Sequence, residues 1–157
     1  MPGVELRPVA PADLPVFFEH QRDPVACRMA AFTARDPDDR DAFDAHWQRI
    51  LADDTVTVRT ILADGAVAGH IASFLREGDL EGAYWIDRAM WGRGIATAAL
   101  RAFLDIVTTR PIHARAAADN AASLRVLERC GFQPFARDRG FASARGEEIE
   151  EVILILR

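Results

Sequence analysis

Trp91-Gly92-Arg93-Gly94-Ile95-Ala96-Thr97 is the stretch of this chain whose residue types and spacing could do chemistry. It follows the apolar run Ala83-Tyr84-Trp85-Ile86 and opens the amphipathic run Ala98 to Val107, so it falls at a strand-to-helix junction. Glycine at such a junction lets a ligand come close to the main chain. The first turn of the helix has four N–H donors without intrahelical partners, and the helix dipole adds partial positive charge there. The stretch is therefore suited to a phosphate or pyrophosphate. A dinucleotide fingerprint fits poorly, because its third glycine is missing.

The elements that must position this loop are readable from the pattern. Val4 to Val9 alternates and reads as a strand; Pro11-Ala12-Asp13-Leu14 starts a helix to about His20, broken at Asp23-Pro24. Residues 24–36 are ambiguous, a loop with room for a short helix. Asp36-Pro37-Asp38-Asp39 reads as the start of a helix that carries Phe43, Trp47, Ile50 and Leu51 on one face. Thr55 to Leu62 and Val67 to Leu75 flank Asp64-Gly65, a strong hairpin signal, and Gly78-Asp79 marks a second turn before the strand Gly82 to Asp87. After the glycine loop, Leu100, Phe103, Leu104 and Val107 keep helical spacing. Pro111 to Ala116 is a short strand, and a helix from Asn120 to Cys130 ends at Gly131. Strands beginning at Phe132 and running from Val152 to Leu156 close the chain, the second preceded by the acidic pair Glu147-Glu148. The order β-α-α-β-β-β-α-β-α-β-β is not that of a doubly wound fold.

Composition narrows the classes. At 157 residues, a single domain over residues 1–157 with a full core is expected. No run of about 18 apolar residues predicts a membrane helix, and Met1 to Glu5 does not read as a signal peptide, so the cytoplasm is the expected location. A net charge of -5 argues against broad nucleic-acid binding. All 19 basic residues are arginine, so any permanent cation that meets a phosphate must be an arginine. Cys27 and Cys130 are too far apart in sequence to suggest a metal set, and no metal is expected.

Two segments together carry a family resemblance. Tyr84 to Thr97 resembles the acyl-CoA pyrophosphate loop of the GNAT N-acetyltransferase superfamily, although Trp91 stands where the usual pattern has Gln or Arg and Arg88 where proline is common. Asp119 to Phe132, with Asn120, Ser123 and Gly131-Phe132, resembles the helix that follows it in that superfamily. The wording of both is closest to the RimJ/RimL-like subgroup, which includes ribosomal-protein N-terminal acetyltransferases. The interval between them leaves room for one helix and one strand, as the family requires. The resemblance implies an α/β (α+β) fold: a mixed, mainly antiparallel sheet of six to seven strands flanked by about four helices.

It also implies acetyl transfer from acetyl-CoA to a primary amine by direct attack, an acyltransferase of the EC 2.3.1 class. The coenzyme's pyrophosphate would lie on the amides of Trp91, Gly92, Arg93, Gly94, Ile95, Ala96 and Thr97. The pantetheine arm would pair with the main chain at Ile86 and Asp87, with an amide there stabilising the oxyanion. Arg125, Arg129 or Arg93 would take the adenosine 3′-phosphate, their alternative being a solvated helix face. Asn120 would hold pantetheine as well as cap its helix. Ser123 would protonate the leaving thiolate, unless its hydroxyl only back-bonds within the helix. The superfamily more often uses a tyrosine on or just before that helix, and Tyr84 is the only tyrosine. For the base, Glu81 is preferred over Asp87; His70 reads as a strand histidine, and His113 and His20 have less support. Candidate acceptors are a peptide N-terminus, an amino acid, a polyamine or an aminoglycoside, and residues 22–36 would cover their site. A homodimer is a reasonable expectation. The alternative is a catalytically inactive coenzyme A-binding sensor, favoured by the missing tyrosine at the usual acid position.

Overall fold

Turn residues and caps divide the chain as a computed structural model, which describes residues 3–157. The elements are β1 (Val4–Arg7), α1 (Asp13–Gln21), α2 (Pro24–Ala30), α3 (Arg40–Ala52), β2 (Thr57–Ala63), β3 (Ala66–Arg76), β4 (Asp79–Ile86), α4 (Ile95–Ile106), β5 (Ile112–Ala117), α5 (Ala121–Arg129), β6 (Gln133–Ala142) and β7 (Glu147–Leu156), with one 3-10 turn at Arg88–Met90. Five helices therefore flank the sheet where about four were expected. The extra one is α2, in the ambiguous segment. The Asp23 side chain accepts from the amides of Val25 and Ala26, and Pro24 sits in the first turn. Helix α3 starts at Asp39, whose side chain accepts from the Ala42 amide, so Pro37 lies before the helix rather than in it. Leu51 is exposed, unlike Phe43 and Trp47.

One seven-stranded sheet has the order β1-β2-β3-β4-β5-β7-β6. Strands β1 to β4 are antiparallel neighbours, as are β5, β7 and β6. Asp64 and Gly65, both with positive φ, make the β2–β3 turn as expected; the β3–β4 turn uses Glu77 and Gly78, one residue earlier than expected. The two halves meet where β4 lies parallel to β5, and there the strands register at a single pair, Glu81 opposite His113. Beyond it, toward Ile86 and Ala117, they diverge and leave a gap in the sheet.

Both faces are covered. Ile95, Ala99, Leu100 and Phe103 of α4 pack with Ile61, Ile71, Ile112 and Leu154. On the other face Phe17, Phe18, Phe43 and Trp47 pack on Val58. Full burial of a side chain the size of Phe17 contributes about 1.5–3 kcal/mol. Helix α1 is fastened by the buried Asp13, which takes two bonds from Arg7 (2.6 and 2.8 Å), one from the Ala10 amide (2.8 Å) and one from the Thr60 hydroxyl (2.7 Å). Among the described residues no helix is long and apolar enough to cross a membrane.

Candidate active site

The glycine loop presents its main chain. Gly92 and Gly94 have φ of 77° and 76°, a conformation that L side chains rarely adopt. Residues Trp91 to Gly94 are exposed. No side chain caps α4, and its first main-chain bond is Ala98 N–H to Gly94 C=O, 3.1 Å. The amides of Ile95, Ala96 and Thr97 thus lie at an open, electropositive helix end. Trp91 anchors the loop by donating its indole N–H to Ile86 C=O at 3.0 Å. Arg93, Arg125 and Arg129 are exposed and form no ion pair with any described residue, which leaves their guanidinium groups available to an anion.

The end of β4 borders the gap. The Asp87 amide bonds Ala68 C=O at 2.8 Å, and the Trp85 carbonyl points at Gly69, where an added Cβ would lie 1.9 Å away. Both residues therefore turn their main chain toward β3. By strand alternation Tyr84 and Ile86 turn theirs toward the gap. Of the expected pair, Ile86 faces the gap; the Asp87 amide is already bonded, and its carboxylate accepts from Ala89 N–H at 3.1 Å.

Two hydroxyls meet on the α4–α5 side. Tyr84 Oη lies 2.9 Å from Ser123 Oγ. A tyrosine is thus beside the helix after all, supplied from β4. Its spacing of 39 residues from Ser123 carries no local signal, although period-two alternation on β4 could have flagged it. Burial raises the Tyr84 pKa, against a smaller lowering from the Ser123 bond. Asn120 Oδ1 accepts from the Ser123 amide at 3.2 Å, so Asn120 caps α5, and its Nδ2 donates to Met29 C=O at 3.4 Å. Arg145, from the β6–β7 turn, fastens the preceding residue through Asp119 (2.7 and 3.0 Å) and also donates to Arg28 C=O.

On the opposite face Glu81 is buried rather than a solvated turn residue. It accepts from Arg76 Nε (3.0 Å) and Nη2 (3.2 Å) and from Arg115 Nε (3.1 Å). Arg115 also donates to Glu151 at 2.8 Å. His70 packs on Phe17 and Trp47, each at 4.9 Å between ring centroids. Burial, then the nearby His20 and His46, push its pKa down to about 3. His20 is also buried and lowered, with Asp87 at 3.7 Å opposing. His113 contacts Leu80 C=O at 3.2 Å, at the rung that joins β4 to β5. Burial raises both Cys27 and Cys130, which disfavours either as a thiolate nucleophile.

One cavity of about 970 Å³ joins these parts, from Gly92 and Thr97 past Tyr84 and Ser123 to Glu81 and Arg115. A loop with open amides, a gap in the sheet and a pair of hydroxyls at its inner end line one continuous cavity, with Glu81 and Arg115 at its other face. Among the described residues no cluster of His, Cys, Asp or Glu side chains could hold a metal ion.

Residues 4–133 match the acetyltransferase (GNAT) domain family. No curated protein matches the chain. Among solved structures, Mycobacterium smegmatis RimJ in complex with CoA-disulfide is 22% identical; the match covers 98% of this chain and 81% of RimJ, with TM-score 0.82. RimL, a ribosomal L7/L12 α-N-protein acetyltransferase in complex with coenzyme A, is 16% identical over 98% of this chain and 93% of its own, with TM-score 0.81. The yncA protein of Salmonella typhimurium, with its cofactor acetyl-CoA, is 19% identical over 98% and 93%, with TM-score 0.70. At these identities the likeness is one of fold.

Proposed function

The chain belongs to the acetyltransferase (GNAT) family, and from this we propose that it moves the acetyl group of acetyl-CoA to a primary amine by direct attack, as one domain over residues 1–157 of the RimJ/RimL-like type. The observation that carries the reading is the open N-terminus of α4, with two positive-φ glycines, beside a sheet gap that ends at the Tyr84–Ser123 pair.

The fit to the coenzyme is chemical. Amides of Gly92 to Thr97 would take the pyrophosphate. Arg93, Arg125 or Arg129 would take the 3′-phosphate, and the Ile86 amide and the Tyr84 main chain would pair with pantetheine as a further strand. Acetyl-CoA supplies a thioester carbonyl. The amine nitrogen bonds to that carbon, the C–S bond breaks, and the departing sulfur takes a proton. Ser123 donates it and draws on Tyr84, which burial keeps protonated at neutral pH. Asn120 positions Ser123 by holding its amide. Glu81 faces the acceptor side of the cavity, paired with Arg76 and Arg115. Three N–H donors already hold its oxygens, so the ammonium proton leaves to solvent before attack; the nitrogen loses its second proton to solvent as the C–S bond breaks, and Tyr84 regains one from solvent after the thiol departs. A cytoplasmic location and a homodimer belong to the same reading. The Tyr84–Ser123 contact favours it over an inactive coenzyme sensor.

Calorimetric titration with acetyl-CoA tests the site, with Gly94→Glu as the control. A side chain at φ 76° costs about 1–2 kcal/mol, and its carboxylate meets the pyrophosphate. Wild-type binding that Gly94→Glu loses, with thiol release on an amine, is the expected result. Equal binding by both proteins refutes the loop assignment, and binding without release on any amine favours the sensor.

A further inference from the structure

We propose that the acceptor is a primary amine on an apolar, aromatic-sized body with no second positive charge. This deepens, and rests on, the acetyl-transfer reading above. Strand β4 is the middle strand of seven, a position ordinarily covered on both faces. Yet Ala83, in its middle, is exposed, and its cross-strand partner Ala72 is only half-buried. The helices α1 and α3 on one side and α2 on the other leave a slot over these two small residues. His70 and Trp85 pair across β3 and β4 at one end of the slot, and Phe74 and Glu81 pair at the other. Trp47 of α3 and Phe32 after α2 face it from the sides. The slot is therefore floored by methyl groups and walled by rings.

Charge decides against polycations. The carboxylates that line the cavity are Glu81 and Glu151. Glu81 is held by Arg76 and Arg115, and Glu151 by Arg115. A polyamine or aminoglycoside would place its further ammonium groups beside those guanidinium groups with no unpaired carboxylate to meet them. The imidazoles in the wall, His46 and His70, are both lowered by burial, so the wall is uncharged at neutral pH. A single amine near Glu81, with its apolar body over Ala72 and Ala83, fits both the shape and the charge.

The test titrates three amines into the coenzyme A-loaded protein by calorimetry and follows thiol release from acetyl-CoA in parallel. The probes are 2-phenylethylamine, a short peptide with an N-terminal Phe, and spermidine. One of the two aromatic amines is expected to exceed spermidine by about tenfold or more in both affinity and kcat/KM, the effect of burying one ring. The better of the two tells a small-molecule source from a peptide. Ala83→Leu, which fills the slot, is expected to weaken the aromatic amine about tenfold and leave acetyl-CoA affinity within about twofold. Ala83→Ser, which keeps the volume, is expected to retain the binding. Spermidine equal to or better than both aromatic amines overturns the inference. So does failure of both aromatic amines to bind, or binding of the better one that Ala83→Leu leaves unaffected. Selective aromatic binding without thiol release upholds the slot and refutes acetyl transfer.

Discussion

Replacing Asp13 with Asn should produce a stability loss whose size depends on pH in a stated way. Asp13 is buried at the start of α1 and receives four donors, two of them from Arg7. The Arg7 bonds are the main reason its pKa falls from 3.8 to about 2. At about 1.4 kcal/mol per pH unit, that displacement corresponds to about 2 kcal/mol. The folded protein holds the Asp13 proton more weakly than the unfolded chain does. The contribution is therefore complete above the unfolded value near 4 and disappears as pH falls through about 2. Asn removes the charge and turns an NH2 group toward donors, so Asp13→Asn should lose about 2–4 kcal/mol at pH 7. Urea unfolding followed by tryptophan fluorescence, at steps from pH 7 to pH 2, measures this. The gap between wild type and variant should narrow by about 2 kcal/mol toward pH 2. A gap that stays constant over that range would refute the assignment of the stability to the ionised Asp13–Arg7 pair.

Ser123→Ala and Tyr84→Phe should each lower kcat by roughly 100-fold or more with little change in acetyl-CoA affinity. Steady-state kinetics of the double variant should match the worse single variant, because the two hydroxyls serve one proton; multiplied losses would separate their roles. Gly69→Ala should lower Tm by about 3–10 °C, since its Cβ would meet the Trp85 carbonyl at 1.9 Å and the cost of such overpacking is about 1–3 kcal/mol. A melting curve unchanged by that substitution would mean that β3 and β4 can separate there without cost.

The parts of the fold that obey a local rule were legible in the sequence. Asp64-Gly65 specifies its hairpin, Asn120 its cap and Gly131 its helix end, because each acts within a few residues. The glycine loop was legible for the same reason. Strand β6 was mostly hidden: it is an edge strand, exposed along nearly all its length, so its apolar alternation is weak. The acidic run at Glu147-Glu148 looked like a lead-in to β7 but belongs to it. In the β6–β7 pairing Arg139 lies opposite Glu150, and Arg137 reaches the same glutamate diagonally at 3.2 Å. The environment of Glu81 could not be read, since Arg115 comes from a strand 34 residues away. Tyr84 was visible as the only tyrosine, but its meeting with Ser123 depends on how α5 lies over β4.

The single rung between β4 and β5 makes the sheet a seam as much as a surface. A four-stranded unit and a three-stranded unit are joined there by little main-chain bonding, and the side-chain core under α4 is what holds them together. Amides on the β4 edge of the seam, at Tyr84 and Ile86, should exchange their hydrogens with solvent far faster than that of Ile71, which lies inside the four-stranded unit. A cosubstrate lying along the seam would supply the bonds the chain lacks. Slower exchange at those amides, and a higher melting temperature, would then report occupancy without any turnover. In that sense the acetyl donor would be the eighth strand of the sheet, present only while the protein is at work.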